Sequence, residues 1–165
     1  MRVMLKYVDA QVVFAEVPDE ITLAISISGC PCHCKGCHSS YLAEDIGEEL
    51  TPEAIDRLIY NNSGITCIAL MGGDAEPIVV SYLAGCIKGE HPEIKVAWYS
   101  GRQEISDRID LWYFDYIKVG PYEEDKGPLD KRTTNQRFYK VVHTTTGKSK
   151  LYDITSRFWK HEAED

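Results

Sequence analysis

The sequence predicts an α/β fold on a mostly parallel, open sheet, and three observations carry that prediction. Short apolar runs of strand length recur along the chain, segments with helical signals separate them, and Gly, Asn or Pro turns stand between. Strands alternating with helices imply βαβ units and therefore a parallel sheet. A complete eightfold barrel takes about 250 residues. The 165 residues here suit an open, partial barrel or a small doubly wound sheet, as one domain spanning 1–165.

The elements follow in order. Ile21 to Ile27 alternates large apolar residues with small ones, which predicts a strand with one face packed and the other left open. Thr51-Pro52-Glu53 predicts a helix start, with Thr51 as N-cap and Pro52 at the first helical position, and Ile55, Leu58 and Ile59 form an apolar stripe. Ile65 to Met71 is a nearly continuous apolar run, as a buried parallel strand requires. Helices are expected over Pro77 to Gly89 and Gln103 to Ile109, and strands over Ile94 to Tyr99, Phe114 to Val119, Arg137 to His143 and Lys150 to Ile154. The tail from Trp159 to Asp165 reads as frayed or weakly helical.

Composition narrows the function. The first twenty residues place charges at Arg2, Lys6 and Asp9 and offer no long apolar run, so neither a signal peptide nor a membrane span is readable and a cytoplasmic location is expected. A formal charge of −8 argues against nucleic acid as the main partner.

The informative stretch is GCPCHCKGCHSS, residues 29–40, where four of the six cysteines fall within eight residues. In a reducing compartment such spacing points to metal or redox chemistry rather than to structural disulfides. Cys30, Cys34 and Cys37 form C-x3-C-x2-C, with Cys32 as an extra thiol inside it. Three thiolates on one tight loop hold three corners of an iron-sulfur cube and leave the fourth iron open, whereas four thiolates close the site. The alternative is zinc or an electron-transfer module. A four-cysteine zinc site commonly draws on two separate knuckles, and this chain has no second C-x2-C. Cys67 and Cys86 sit in apolar runs and read as buried free cysteines. His33 and His38 receive no metal-ligand role.

With this spacing after the first strong strand, the chain resembles the radical S-adenosylmethionine superfamily, which implies a small partial (βα) barrel and assigns the [4Fe-4S] cluster to Cys30, Cys34 and Cys37. A second segment agrees. The strand from Ile65 ends in Gly72-Gly73-Asp74, and a glycine pair at a strand terminus lets the backbone approach a ligand. In the superfamily a GGE-type segment stands here and meets the amino group of S-adenosylmethionine. Gly72, Gly73 and Asp74 match it, with aspartate for glutamate.

Within the superfamily, Cys34-Lys35-Gly36-Cys37-His38 resembles the C-x-G-C-aromatic arrangement of the anaerobic ribonucleotide reductase activating proteins. His38 there replaces the usual tyrosine and inherits its place among the cofactor-binding residues. Val119-Gly120-Pro121-Tyr122, an acidic stretch, and Thr133-Thr134-Asn135-Gln136 resemble the same family's C-terminal half. Where the family often has a lysine after this glycine, the chain has Pro121, so no catalytic lysine is transferred. Lys118 stands as a weak substitute against its reading as a solvated strand end. The resemblance implies an activase: reductive cleavage of S-adenosylmethionine, then a 5′-deoxyadenosyl radical that makes a glycyl radical on the large subunit of anaerobic ribonucleoside-triphosphate reductase, with a low-potential donor such as flavodoxin. Such chemistry needs orientation and exclusion of water rather than acid-base side chains. Glu44-Asp45 and Glu123-Glu124-Asp125 accordingly read as solvated acidic loops, and no catalytic side chain is assigned. Competing implications are activation of another glycyl radical enzyme and a small-molecule radical enzyme.

Overall fold

The computed structural model describes residues 4–31 and 44–159. Eight strands form one sheet: β1 (Lys6–Val13), β2 (Thr22–Ile27), β3 (Glu48–Glu49), β4 (Cys67–Met71), β5 (Lys95–Tyr99), β6 (Tyr116–Val119), β7 (Arg137–His143) and β8 (Ser149–Asp153). Two helices, α1 (Pro52–Asn61) and α2 (Pro77–Glu90), connect β2 to β4 and β4 to β5. The spatial order is β3-β1-β2-β4-β5-β6-β7-β8. The four central strands β2, β4, β5 and β6 run parallel, and the flanking pairs on both sides are antiparallel. The sheet is therefore open and mixed rather than mostly parallel, because chain reversals at both margins add hairpin-type partners to the βαβ centre.

The helices start where their signals stand. Thr51 Oγ1 accepts the Ala54 N–H at 3.0 Å, with Pro52 at the first helical position. This cap contributes about 1 kcal/mol. On α2, Val80, Leu83, Ala84 and Ile87 recur at helical spacing and are buried. They pack with Ile55 of α1 on Leu23, Ile25 and Ile27 of β2, Ile68 and Leu70 of β4, and Val96 and Trp98 of β5. Each such large side chain contributes about 1.5–3 kcal/mol on burial.

Among the described residues the opposite face carries no α-helix, and it is built differently. Ala24, Ala69 and Ala97 stand next to one another across β2, β4 and β5. One row nearer the C-terminal strand ends, Ser26, Met71, Tyr99 and Lys118 are likewise in register. The small residues of β2 are not left open: Thr22 is 0 % and Ala24 8 % exposed. Val17 from the β1–β2 connection, Leu129 from the β6–β7 connection and Phe158 after β8 pack with Cys67, Ala69, Ala97, Tyr116 and Phe138 on this face. Arg157 ties the last of these segments to Asp19 at 2.7 Å.

Two further expectations change, and one strand was not expected. Residues 103–109 form bends and turns instead of a helix, and the first 3-10 turn of this connection is Leu111–Tyr113, where Asp110 accepts the Trp112 N–H. Cys86 is only partly buried, whereas Cys67 is fully buried. β1 had no sequence signal of its own, because Asp9 and Gln11 interrupt its alternation and a register shift falls between Tyr7 and Asp9. Of the tail, Trp159 is described, and 160–165 lie outside the described residues.

At the N-terminal strand ends, buried Glu20 accepts from Lys95 Nζ at 2.7 Å, Thr66 Oγ1 at 2.5 Å and the Tyr116 hydroxyl at 3.3 Å. These bonds close that end of the sheet. Burial, reinforced by Glu20, pushes the neighbouring Cys67 thiol up to about 12. Since only the thiolate reacts, Cys67 should resist alkylation by iodoacetamide at pH 8 for as long as the protein stays folded. Mass spectrometry of pulse-labelled native and urea-unfolded protein checks this, with modification expected only after unfolding. A folded pKa above the unfolded one also means that the thiol's contribution to stability is complete below about pH 8.5 and declines as pH rises toward 12.

Candidate metal and cofactor site

The C-terminal ends of the four parallel strands meet along one edge of the sheet, where α/β folds place their ligands. β2 delivers Ser28, Gly29 and Cys30 there. Cys30 is a partly exposed free thiol. The cysteine loop has a stitched neck: Gly29 N–H donates to Glu44 O at 3.0 Å, Ser28 N–H to Lys6 O at 2.9 Å and Ser28 Oγ to Ile46 O at 2.5 Å. Lys6 also pairs with Asp45 at 3.2 Å, so this acidic pair helps to fix the loop's return. Cys32, His33, Cys34, Cys37 and His38 lie outside the described residues. An accessible, unbridged thiol at the C-terminal end of a parallel strand fits a cluster ligand, because thiolate is the natural donor to iron-sulfur iron.

β4 delivers Gly72, Gly73 and Asp74 to the same edge. Gly72 and Gly73 have φ of +117° and +89°, in the region that glycine enters without cost. Their backbone is held on several sides: Gly72 N–H donates to Tyr99 O, Trp98 Nε1 donates to Gly72 O at 2.7 Å, and Glu76 N–H donates to Gly73 O. A Cβ on Gly73 would lie 2.5 Å from Val80 Cγ2 and 3.2 Å from Leu5 Cδ1. The glycine therefore admits the apolar core, a role the sequence alone did not distinguish from ligand approach.

Asp74 is 5 % exposed and accepts from Ser100 Oγ at 2.6 Å and Gly101 N–H at 2.8 Å, one donor to each carboxylate oxygen. Lys118 is buried rather than solvated, and its Nζ donates to Ser100 O at 3.2 Å and Gly120 O at 2.9 Å. Gly120 N–H returns to Arg102 O at 2.6 Å. Asp74, Ser100 and Lys118 thus lace the ends of β4, β5 and β6 into one rigid rim. Ser100 had no sequence signal, since a lone serine after a strand is ordinary. Pro121 O accepts from Asn135 Nδ2 at 2.9 Å, which docks the predicted Thr-Asn-Gln segment against the Gly-Pro turn. Glu123 pairs with Lys126 at 2.8 Å within its exposed loop.

At one edge of the sheet, then, the central parallel strands present Cys30, the first residue of the C-x3-C-x2-C segment, beside a glycine turn. Residues 21–141 match the family described as a 4Fe-4S single cluster domain, and the chain belongs to that family. The match begins just before β2 and ends in β7, so it takes in the cysteine loop, the glycine turn and the rim. No curated protein and no solved structure matches the chain. Among the described residues, no helix is long and apolar enough to cross a membrane.

Proposed function

We propose that the chain is a radical S-adenosylmethionine activase, a partial barrel that generates a glycyl radical on the large subunit of anaerobic ribonucleoside-triphosphate reductase in the cytoplasm. The observation that carries this reading is the juxtaposition at one sheet edge of Cys30, opening a C-x3-C-x2-C loop, and the Gly72-Gly73-Asp74 turn, within a 4Fe-4S family. Cys30, Cys34 and Cys37 would hold the cluster. Gly72, Gly73, Asp74 and His38 would hold S-adenosylmethionine beside it. When bound, the reduced cluster supplies one electron, with which S-adenosylmethionine is cleaved to methionine and a 5′-deoxyadenosyl radical. Flavodoxin or a similar low-potential protein is the donor on this reading.

The chain's own residues supply placement. The rim of Asp74, Ser100 and Lys118 fixes the turn, and the stitched neck fixes the first cysteine relative to it. Rigid positioning of this kind contributes most where a reactive species has to be used before it escapes. No acid-base pair is required.

The test is anaerobic reconstitution with iron and sulfide, reduction, and addition of S-adenosylmethionine and the reductase from the same source. Methionine and 5′-deoxyadenosine should form, and a glycyl signal should appear on the reductase by electron paramagnetic resonance. Replacing the partner's radical glycine by Ala should abolish that signal. Cofactor cleavage with a glycyl signal only on a different protein of the same cell would reassign the partner, and absence of cleavage would remove the radical reading altogether.

A further inference from the structure

Two successive glycines make the Gly72-Gly73-Asp74 turn the softest part of the rim. Gly72 and Gly73 enter positive φ without cost and leave it as readily, so the shape of the turn has to be imposed by its neighbours. Four consecutive residues at the end of β5 do this, with one hydrogen bond each. Trp98 Nε1 donates to Gly72 O at 2.7 Å, and Tyr99 O accepts the Gly72 N–H at 3.0 Å. Ser100 Oγ donates to Asp74 Oδ1 at 2.6 Å, and Gly101 N–H donates to Asp74 Oδ2 at 2.8 Å. Side chains grip at 98 and 100 and backbone at 99 and 101, which carries the two-residue alternation of a strand past its last residue.

Ser100 is the one of these whose side chain serves the turn alone. Trp98 also fills the apolar core, whereas Ser100, at 1 % exposure, belongs to neither apolar cluster. Its own placement is fixed from β6 and from the following connection. Ser100 N–H donates to Lys118 O at 2.9 Å, Ser100 O accepts from Lys118 Nζ at 3.2 Å, and Ser100 Oγ accepts the Arg102 N–H at 3.1 Å. The hydroxyl proton is then directed at Asp74, and two donors, one on each oxygen, fix the plane of that buried carboxylate. Orientation matters here because charge-assisted hydrogen bonds are short and directional, and stronger in a site poor in water.

We propose that Ser100 is a positioning residue, holding the Asp74 carboxylate in the orientation in which the turn takes up a ligand's amino group. The identity of the ligand rests on the activase reading, under which it is S-adenosylmethionine.

The test is calorimetric titration of the reconstituted, oxidised protein, in which no electron is available for cleavage. The probes are S-adenosylmethionine and its desamino analogue, which lacks the amino group. Ser100→Ala should weaken binding of S-adenosylmethionine by about tenfold, the worth of one hydrogen bond to a carboxylate. It should leave affinity for the desamino analogue and the iron and sulfide content unchanged. Ser100→Thr, which keeps the hydroxyl, should bind both as the parent does, and in an Asp74→Asn background Ser100→Ala should cost nothing further. Thr51→Ala, which removes the cap of α1 at a comparable cost in stability, should leave both affinities alone. Melting curves set a temperature at which every variant is folded. Parent affinity in Ser100→Ala, an equal loss for the two probes, or the same loss in Thr51→Ala or Ser100→Thr overturns the proposal. A parent that binds S-adenosylmethionine and cleaves it on reduction, while Ser100→Ala keeps its affinity, overturns this role alone. A parent that binds neither probe overturns the activase reading with it.

Discussion

Cys30→Ala should reduce the iron and sulfide of the anaerobically reconstituted protein to background and abolish S-adenosylmethionine cleavage with them. A cube held by two thiolates has lost the chelate that retains it, and a folded site contributes to metal affinity only while its ligand set is complete. The loss should not be a loss of fold. Cys30 belongs to neither apolar cluster, and the neck of its loop is held by Gly29, Ser28 and their partners without the thiol. The variant's circular dichroism and melting temperature should therefore match those of the cluster-free parent. Cys34→Ala and Cys37→Ala should behave as Cys30→Ala does, and Cys32→Ala should keep both cluster and cleavage. A Cys32→Ala protein that loses its iron while any of the other three keeps it would overturn the ligand assignment.

The parallel centre was legible in the sequence because its elements obey local rules. Residues 65–71 had to be a buried strand on apolar continuity alone, and Thr51-Pro52 had to begin a helix. What escaped depends on partners distant in sequence. β1 is a strand because β2 and β3 supply hydrogen bonds that its own broken alternation does not announce. The small face of β2 looked open because the residues that cover it, Val17, Leu129 and Phe158, come from three separate connections. Residues 103–109 carry spaced apolar residues but settle into turns, with Asp110 N–H held by Ser81 of α2 and no helical ladder formed.

The candidate site divides in the same way. The spacing of Cys30, Cys34 and Cys37 and the Gly72-Gly73-Asp74 turn were readable as motifs, since a short segment carries each one whole. The rim was not readable. Ser100 and Lys118 gain meaning only when β5 and β6 lie side by side and bring a hydroxyl and an ammonium to Asp74 and to two carbonyls.

Gly73→Val should lower the stability of the whole protein before it affects any ligand. The position has φ +89°, and its missing side chain points at Val80 Cγ2, 2.5 Å from an ideal Cβ, with Leu5 Cδ1 at 3.2 Å. Overpacking a filled core costs about 1–3 kcal/mol. Forcing a β-branched residue to positive φ adds about 1–3 kcal/mol. The sum, about 2–6 kcal/mol, corresponds to a fall in melting temperature of roughly 4–24 °C for a chain of this size. The displaced Val80 side chain belongs to α2, so the disturbance should reach the buried Trp98, whose indole N–H holds Gly72 O, and near-ultraviolet circular dichroism should report it. Gly73→Ala should show the same direction at smaller size, because it keeps the strained φ and the first clash but adds no branches. Thermal melts of the two variants beside the parent, followed by cofactor titration at a temperature where all three are folded, separate packing from binding. If Gly73→Val melts with the parent and loses only affinity for S-adenosylmethionine, then that glycine is kept open for the ligand and not for the core.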